Sequence, residues 1–154
     1  MSESLDIGGM VEDALKGDMT IWVEFIDGFE VEIRFVGREK FQKLYEKCVK
    51  FDWNPKTHKR EDIPDREKFL KLWAEKAVKN WKGLTLGKLA NLIPINLDEG
   101  VDTKLEVPAT VENRVTLLKH NAEFDDFVIS IANNYQTFKE SLNEIKEDVA
   151  NLKQ

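Results

Sequence analysis

Apolar and polar positions alternate twice near the start of the chain. Ile21, Val23 and Phe25 are separated by Trp22 and Glu24, and Phe29, Val31, Ile33 and Phe35 by Glu30, Glu32 and Arg34. Period two in β-branched and aromatic residues predicts a hairpin over residues 19–35. Its register follows from the face it must bury. A two-residue Asp27-Gly28 turn sets Phe25 across from Glu30 and mixes both faces. A three-residue Ile26-Asp27-Gly28 loop pairs Phe25 with Phe29, Val23 with Val31 and Ile21 with Ile33, leaving one clean apolar face and Gly28 in the left-handed position of a G1 bulge. The same register opposes Glu24 to Glu30, a like-charge pair costing roughly a few tenths of a kcal/mol. Apolar burial outweighs that.

Beyond Gly37 the period lengthens. Phe41, Leu44, Tyr45 and Cys48 mark a helix over about residues 38–50. Residues 52–64 hold Trp53-Asn54-Pro55 and Ile63-Pro64 without a period and read as a loop. Pro64, Asp65 and Glu67 suit the start of a helix over 65–82, with Phe69, Leu70, Trp73, Ala77, Val78 and Trp81 on its apolar face and Gly83 closing it. Thr85 caps a short helix over 86–92 that ends before Pro94, and a second loop fills 94–109. Thr110 caps a helix over 111–119. Upstream, Met10, Val11, Ala14 and Leu15 fit one short helix set between glycines.

The last segment carries the strongest period. After Asn121, a good cap, Phe124, Val128, Ile131, Tyr135, Phe138, Leu142, Ile145, Val149 and Leu152 alternate spacings of four and three. This predicts one helix over 122–150. From Phe124 to Leu152 it would run about 42 Å at ~1.5 Å per residue, against a body roughly 38 Å across for this length. Phe124 to Phe138 should pack in the core, while Leu142, Ile145, Val149 and Leu152 are expected to dock on another chain. Glu144, Lys146, Glu147, Asp148 and Lys153 flank that strip and would tune the choice of partner. The whole reads as a single α+β domain over 1–154: an amino-terminal β-hairpin, then a mainly α-helical body with a long carboxy-terminal helix. A lone hairpin is marginal in water, so its apolar face must meet the helices or a partner.

Composition narrows the function. The chain has 154 residues, 42% hydrophobic and 34% charged, as expected of a globular domain. Its 23 cations against 29 acids give a net charge of −6, which counts against a general nucleic-acid or anionic-membrane binder. One cysteine, Cys48, excludes an intrachain disulfide and suggests the cytoplasm, and it falls on an apolar stripe as a small hydrophobe. The start Met1-Ser2-Glu3-Ser4-Leu5-Asp6 lacks the basic and apolar runs of a signal peptide, and no stretch is apolar enough to span a bilayer.

Candidate chemistry is sparse. His58 and His120 lie far apart and neither has a partner at metal-ligand spacing. Gly8-Gly9 and Gly83 with Gly87 lack the flanks of a phosphate loop. Ser130, Thr137 and Ser141 fall within a helix rather than on a strained turn. Glu123, Asp125 and Asp126 suit the positive end of a helix dipole. The expectation is a protein that is not an enzyme, with no cofactor, metal or small-molecule substrate. Binding features remain. Trp22 shares a strand face with Glu24, Ile26, Glu30 and Glu32, which suits either a basic partner segment or covering by the amino-terminal residues. Trp53 precedes Lys56, His58, Lys59 and Arg60, an aromatic beside cations that could clamp single-stranded nucleic acid, although Glu61, Asp62 and Asp65 follow at once.

The order of segments resembles the tail assembly chaperones of long-tailed bacteriophages and their prophage relatives. The likeness covers about residues 19–140. It is carried by Ala77-Val78-Lys79-Asn80-Trp81-Lys82-Gly83-Leu84, by Val107-Pro108-Ala109-Thr110-Val111-Glu112-Asn113, by the pair Leu117-Leu118, and by Glu123-Phe124-Asp125-Asp126-Phe127-Val128-Ile129. The segment Thr85–Ile95 departs from the simplest pattern of that family. The resemblance implies a non-catalytic role in the cytoplasm of an infected or lysogenic host. Such chaperones coat the helical tape measure protein until tail-tube subunits polymerise around it, and are absent from the finished particle. It implies the tape measure protein as partner, contact with the tail-tube subunit and with further copies of the chain being open. The contact residues would be Trp22, Trp53, Leu142, Ile145, Val149 and Leu152. Two other roles fit the same sequence: a tail structural or completion protein kept in the virion, and a nucleic-acid-associated regulator using Trp53 to Arg60.

Overall fold

Why the first hairpin exists is visible in what it buries. In the computed structural model, which describes residues 5–152, β1 (Thr20–Ile26) and β2 (Phe29–Arg34) pair antiparallel with Ile21 opposite Ile33 and Val23 opposite Val31, as the alternation predicts. The turn differs by one position. Ile26, not Phe25, faces Phe29, and Phe25 becomes the extra residue of a bulge, with Gly28 at φ +79°. The bulge turns Phe25 inward, where its ring lies 5.2 Å from that of Phe124. The expected Glu24–Glu30 repulsion is relieved locally: Glu24 accepts the Gly28 N–H at 2.9 Å, and Glu30 lies 3.5 Å from Lys82.

The hairpin does not stand alone. β5 (Val78–Lys82) pairs with β2 to complete a three-stranded sheet ordered β1-β2-β5. This corrects the helix expected over 65–82. α3 runs only Arg66–Ala77, opened by Asp65, whose carboxylate accepts from Lys68 N at 3.1 Å. A continued helix would satisfy the Ala74 and Val78 carbonyls with later N–H groups. Instead the Arg114 guanidinium donates to both, and also to Ala109 O at 3.0 Å. Released from the helix, Val78 and Trp81 turn into the core and the strand closes the sheet. Desolvation lowers the Arg114 pKa while Glu75 and Glu112 partly offset it, and every hydrogen bond it makes is to a backbone carbonyl. Arg114→Met is expected to lower unfolding free energy by about 2 kcal/mol, read from urea denaturation. A midpoint equal to that of the parent would show the guanidinium is dispensable.

α5 (Val111–His120) and α6 (Ala122–Ala132) pack with α3 against the sheet. The caps read from sequence are in place: Thr110 accepts from Asn113 N at 3.2 Å and Asn121 from Phe124 N at 2.8 Å. α4 (Leu86–Leu92) is capped by Thr85, which accepts from Lys88 N at 3.3 Å. In the centre Phe29, Trp73 and Phe124 are fully buried, and the Phe124 ring meets those of Phe25, Phe29, Trp81 and Phe127. Trp81 anchors the 94–109 loop by donating its Nε1–H to Val107 O at 2.8 Å.

Three further expectations are corrected. α1 (Ile7–Leu15) begins before the glycines rather than between them, because Asp6 caps it by accepting from Gly9 N at 3.1 Å. α2 (Arg38–Lys47) stops short of residue 50, and residues 49–64 form a second hairpin instead of a loop. The single long carboxy-terminal helix is two: α6, then α7 (Tyr135–Leu152). The break has an identifiable cause. Ala132 O accepts from Val36 N at 2.8 Å and Gly37 N at 3.2 Å, so the link after β2 takes the carbonyl that Gln136 N would use. Asn134 Oδ1 serves Gln136 N at 3.1 Å and restarts the helix. The heptad spacing survives the interruption, which is why sequence period alone runs straight through it. Residues 1–4 and Lys153, one of the residues expected to flank the apolar strip, lie outside the described residues.

Among the described residues, Asp125, in the first turn of α6, is the one carboxyl that burial holds above the ordinary aspartate range. Arg66 offsets that push and Asp126 adds to it. Because its pKa is higher folded than unfolded, the native state loses stability as pH rises from the unfolded value through the folded one. Asp125→Asn is therefore expected to raise Tm at pH 7, with the gain vanishing in acid. Thermal melts of both proteins across that range check it; a gain independent of pH would mean the ionised carboxylate is not the cause.

Candidate interaction surfaces

The three residue groups singled out from sequence sit on three different elements. Trp22 lies on the outer face of the sheet, 40% exposed, with Lys82 Nζ 4.4 Å from its ring centroid. Lys82 also reaches Glu30, and Glu32 accepts from Thr20 Oγ1 at 3.3 Å. The acidic strand face thus already has a basic neighbour, supplied by β5 of the same chain.

Trp53 lies on the second hairpin. β3 (Val49–Asn54) pairs with β4 (Lys59–Pro64) as a two-stranded sheet separate from the first. Every residue of β4 is exposed, as are four of the six in β3, so both faces of this arm meet solvent. Its base is closed by Asp65 N donating to Cys48 O at 2.7 Å, with Cys48 buried. Its tip is an Asn-led turn: Asn54 Oδ1 accepts from Lys56 N at 2.9 Å and Thr57 N at 3.3 Å, and His58 takes φ +51°. The alternation Val49, Phe51, Trp53 was the signal for β3. It is short, and no apolar face on β4 answers it.

The strip on α7 is the third surface. Phe138 is fully buried against Phe35, the ring centroids 5.3 Å apart. One turn later exposure begins, from 37% at Leu142 through Ile145 and Val149 to 85% at Leu152. These four occupy one face at spacings of three, four and three. On one flank stand Lys139 and Lys146, on the other Ser141 and Asp148, and Glu140 and Glu147 lie on the far side. α1 offers a second exposed apolar stretch in Ile7, Met10 and Val11.

A depression of about 390 Å³ lies between α3 and α5, lined by Leu70, Val111 and Val115 and by Glu67, Lys71, Glu112 and Lys119. Glu67 and Lys119 pair across it at 3.5 Å. Among the described residues no group of three or more His, Cys, Asp or Glu side chains could hold a metal ion, and no helix is long and apolar enough to cross a membrane.

Together these features define an α+β domain with a small antiparallel sheet and apolar residues left in solvent on helices and on a β-arm. The chain belongs to the YdaY prophage protein family, whose model matches residues 36–150. The matched stretch begins after β2 and takes in the arm, the helical core and nearly all of α7. No curated protein and no solved structure gives a match.

Proposed function

We propose that this prophage protein is a non-catalytic tail assembly chaperone that shields an amphipathic helix of the tape measure protein in the host cytoplasm. The observation that supports this most directly is the α7 strip, four apolar side chains in one row left in solvent on a helix whose first turns are anchored in the core. An exposed row of this kind is the half-site of a helix pair. The resemblance of segment order to phage tail chaperones supplies the partner, since a bare tape measure presents apolar helical stripes that would aggregate. The strip is only four residues long, so each contact is modest and many copies share the load, which suits a shield that must later be displaced.

Mass spectrometry of lysate and purified particles from an induced prophage tests the role. The protein is expected in the lysate and absent from the particles. Its retention in the particles would replace the chaperone role by that of a structural or completion protein.

A further inference from the structure

We propose that the β3–β4 arm is a binding site for single-stranded nucleic acid. Strand alternation places Val49, Phe51 and Trp53 on one face, and the pairing sets Arg60 directly across from Trp53 and Asp62 across from Phe51. Phe51 and Trp53 are 55% and 59% exposed. Their rings therefore stand about 6.8 Å apart along the strand, at ~3.4 Å per residue, two π-faces at alternate positions, as in other sheets that stack successive bases.

Cations are placed to follow the backbone of such a strand. The Arg60 guanidinium lies 3.4 Å from the Phe51 ring centroid, and the His58 ring stands 6.4 Å from that of Trp53. From Trp53 to Arg60 the chain carries Lys56, Lys59 and Arg60 and no carboxylate, on a protein whose net charge is −6. The acids next to the rings divide between the two faces. Asp52 and Glu61 fall on the opposite face with Lys50 and Lys59, where Glu61 accepts from Asn54 Nδ2 at 2.6 Å, leaving Arg60 and Asp62 as the charges on the aromatic side and Lys56 and His58 at the tip. A two-stranded sheet exposed on both faces is marginal in water, and a stacked ligand would add to the cover that Arg60 already gives the Phe51 ring.

Titration of the full chain with fluorescently labelled dT15 and rU15 tests this. Binding of one or both at low salt is expected, weakening as salt is raised and quenching tryptophan emission, and the two oligonucleotides separate DNA from RNA as the ligand. Trp53→Ala should weaken binding about tenfold or more, and Lys56→Ala with Arg60→Ala should flatten the salt dependence. These side chains are exposed, so circular dichroism of each variant should match the parent. The proposal is overturned if neither oligonucleotide binds at low salt, or if Trp53→Ala binds as the parent does. It is equally overturned if a poly-glutamate peptide binds with the same dependence on Trp53, which would make the ligand an acidic polypeptide, or if Trp53→Ala instead dissolves a dimer in sedimentation.

Discussion

Replacing Gly83 by alanine is expected to destroy the native fold. Gly83 sits at φ +79°, in the left-handed region that costs a side-chain-bearing residue roughly 1–2 kcal/mol. The steric cost is greater. A Cβ on Gly83 would fall inside the van der Waals envelope of the Gly28 carbonyl oxygen, which belongs to the turn of the first hairpin and cannot rotate aside. Gly28 is itself at φ +79°, so two left-handed glycines meet back to back. Lys88 Nζ seals the junction by donating to Gly83 O at 2.8 Å. Relief would require β5 to draw away from the β1–β2 turn, taking with it Trp81, whose ring packs on Phe29 and Phe124. The expected loss exceeds about 4 kcal/mol, a large part of the ~5–15 kcal/mol that holds a domain of this kind together. Loss of the cooperative thermal transition in Gly83→Ala reads it out. Gly17→Ala, where nothing lies within 4 Å of the added carbon, should melt as the parent does. A Gly83→Ala protein with an unchanged midpoint would mean that the two turns do not touch in solution.

The second large effect concerns α7. On the proposed chaperone role, Ile145→Glu combined with Val149→Glu is expected to abolish capture of the tape measure protein encoded by the same prophage while leaving Tm nearly unchanged. Both side chains are exposed, so the fold should lose no more than about 0.5 kcal/mol. In a helix-in-groove complex each would instead be a buried anchor of about 1.5–3 kcal/mol, so removing two should weaken binding at least about a hundredfold. Glutamate keeps helix propensity high, which separates a lost contact from a melted helix. Co-purification of tagged parent and double variant with the tape measure protein is the measurement. Equal recovery would move the contact off the strip, with the exposed face of α1 as the next surface to examine.

Local features of the chain are legible in its sequence. The caps at Thr85, Thr110 and Asn121 sit where the sequence places them, because a capping side chain answers to N–H groups two or three residues away. Most of the first hairpin register is legible because one face had to be wholly apolar. The failures share a form. β5 looks like the end of a helix, since Val78 and Trp81 continue the spacing of Phe69, Leu70 and Trp73. The heptads of α6 and α7 run unbroken across Asn133-Asn134. The arm escapes a sequence reading because a solvated strand pair needs no apolar period on both strands. Of the candidate interaction residues, the α7 strip is visible as a row; the face that Trp53 shares with Phe51 and Arg60 is not, because it exists only once β3 and β4 are in register.

By itself the sequence determined the α+β class, the starts of α2 to α6, the sign of the overall charge and which residues of the last segment form a continuous apolar row. All of these depend on composition or on neighbours within a turn or two of the chain. Only the tertiary structure decided where that row stops being core, because the carbonyls that end α3 and α6 are claimed by Arg114 and by the backbone of Val36 and Gly37, groups far away in the chain. A helix ends when something else binds its hydrogen-bond acceptors, and no local pattern records what will arrive from elsewhere in the fold.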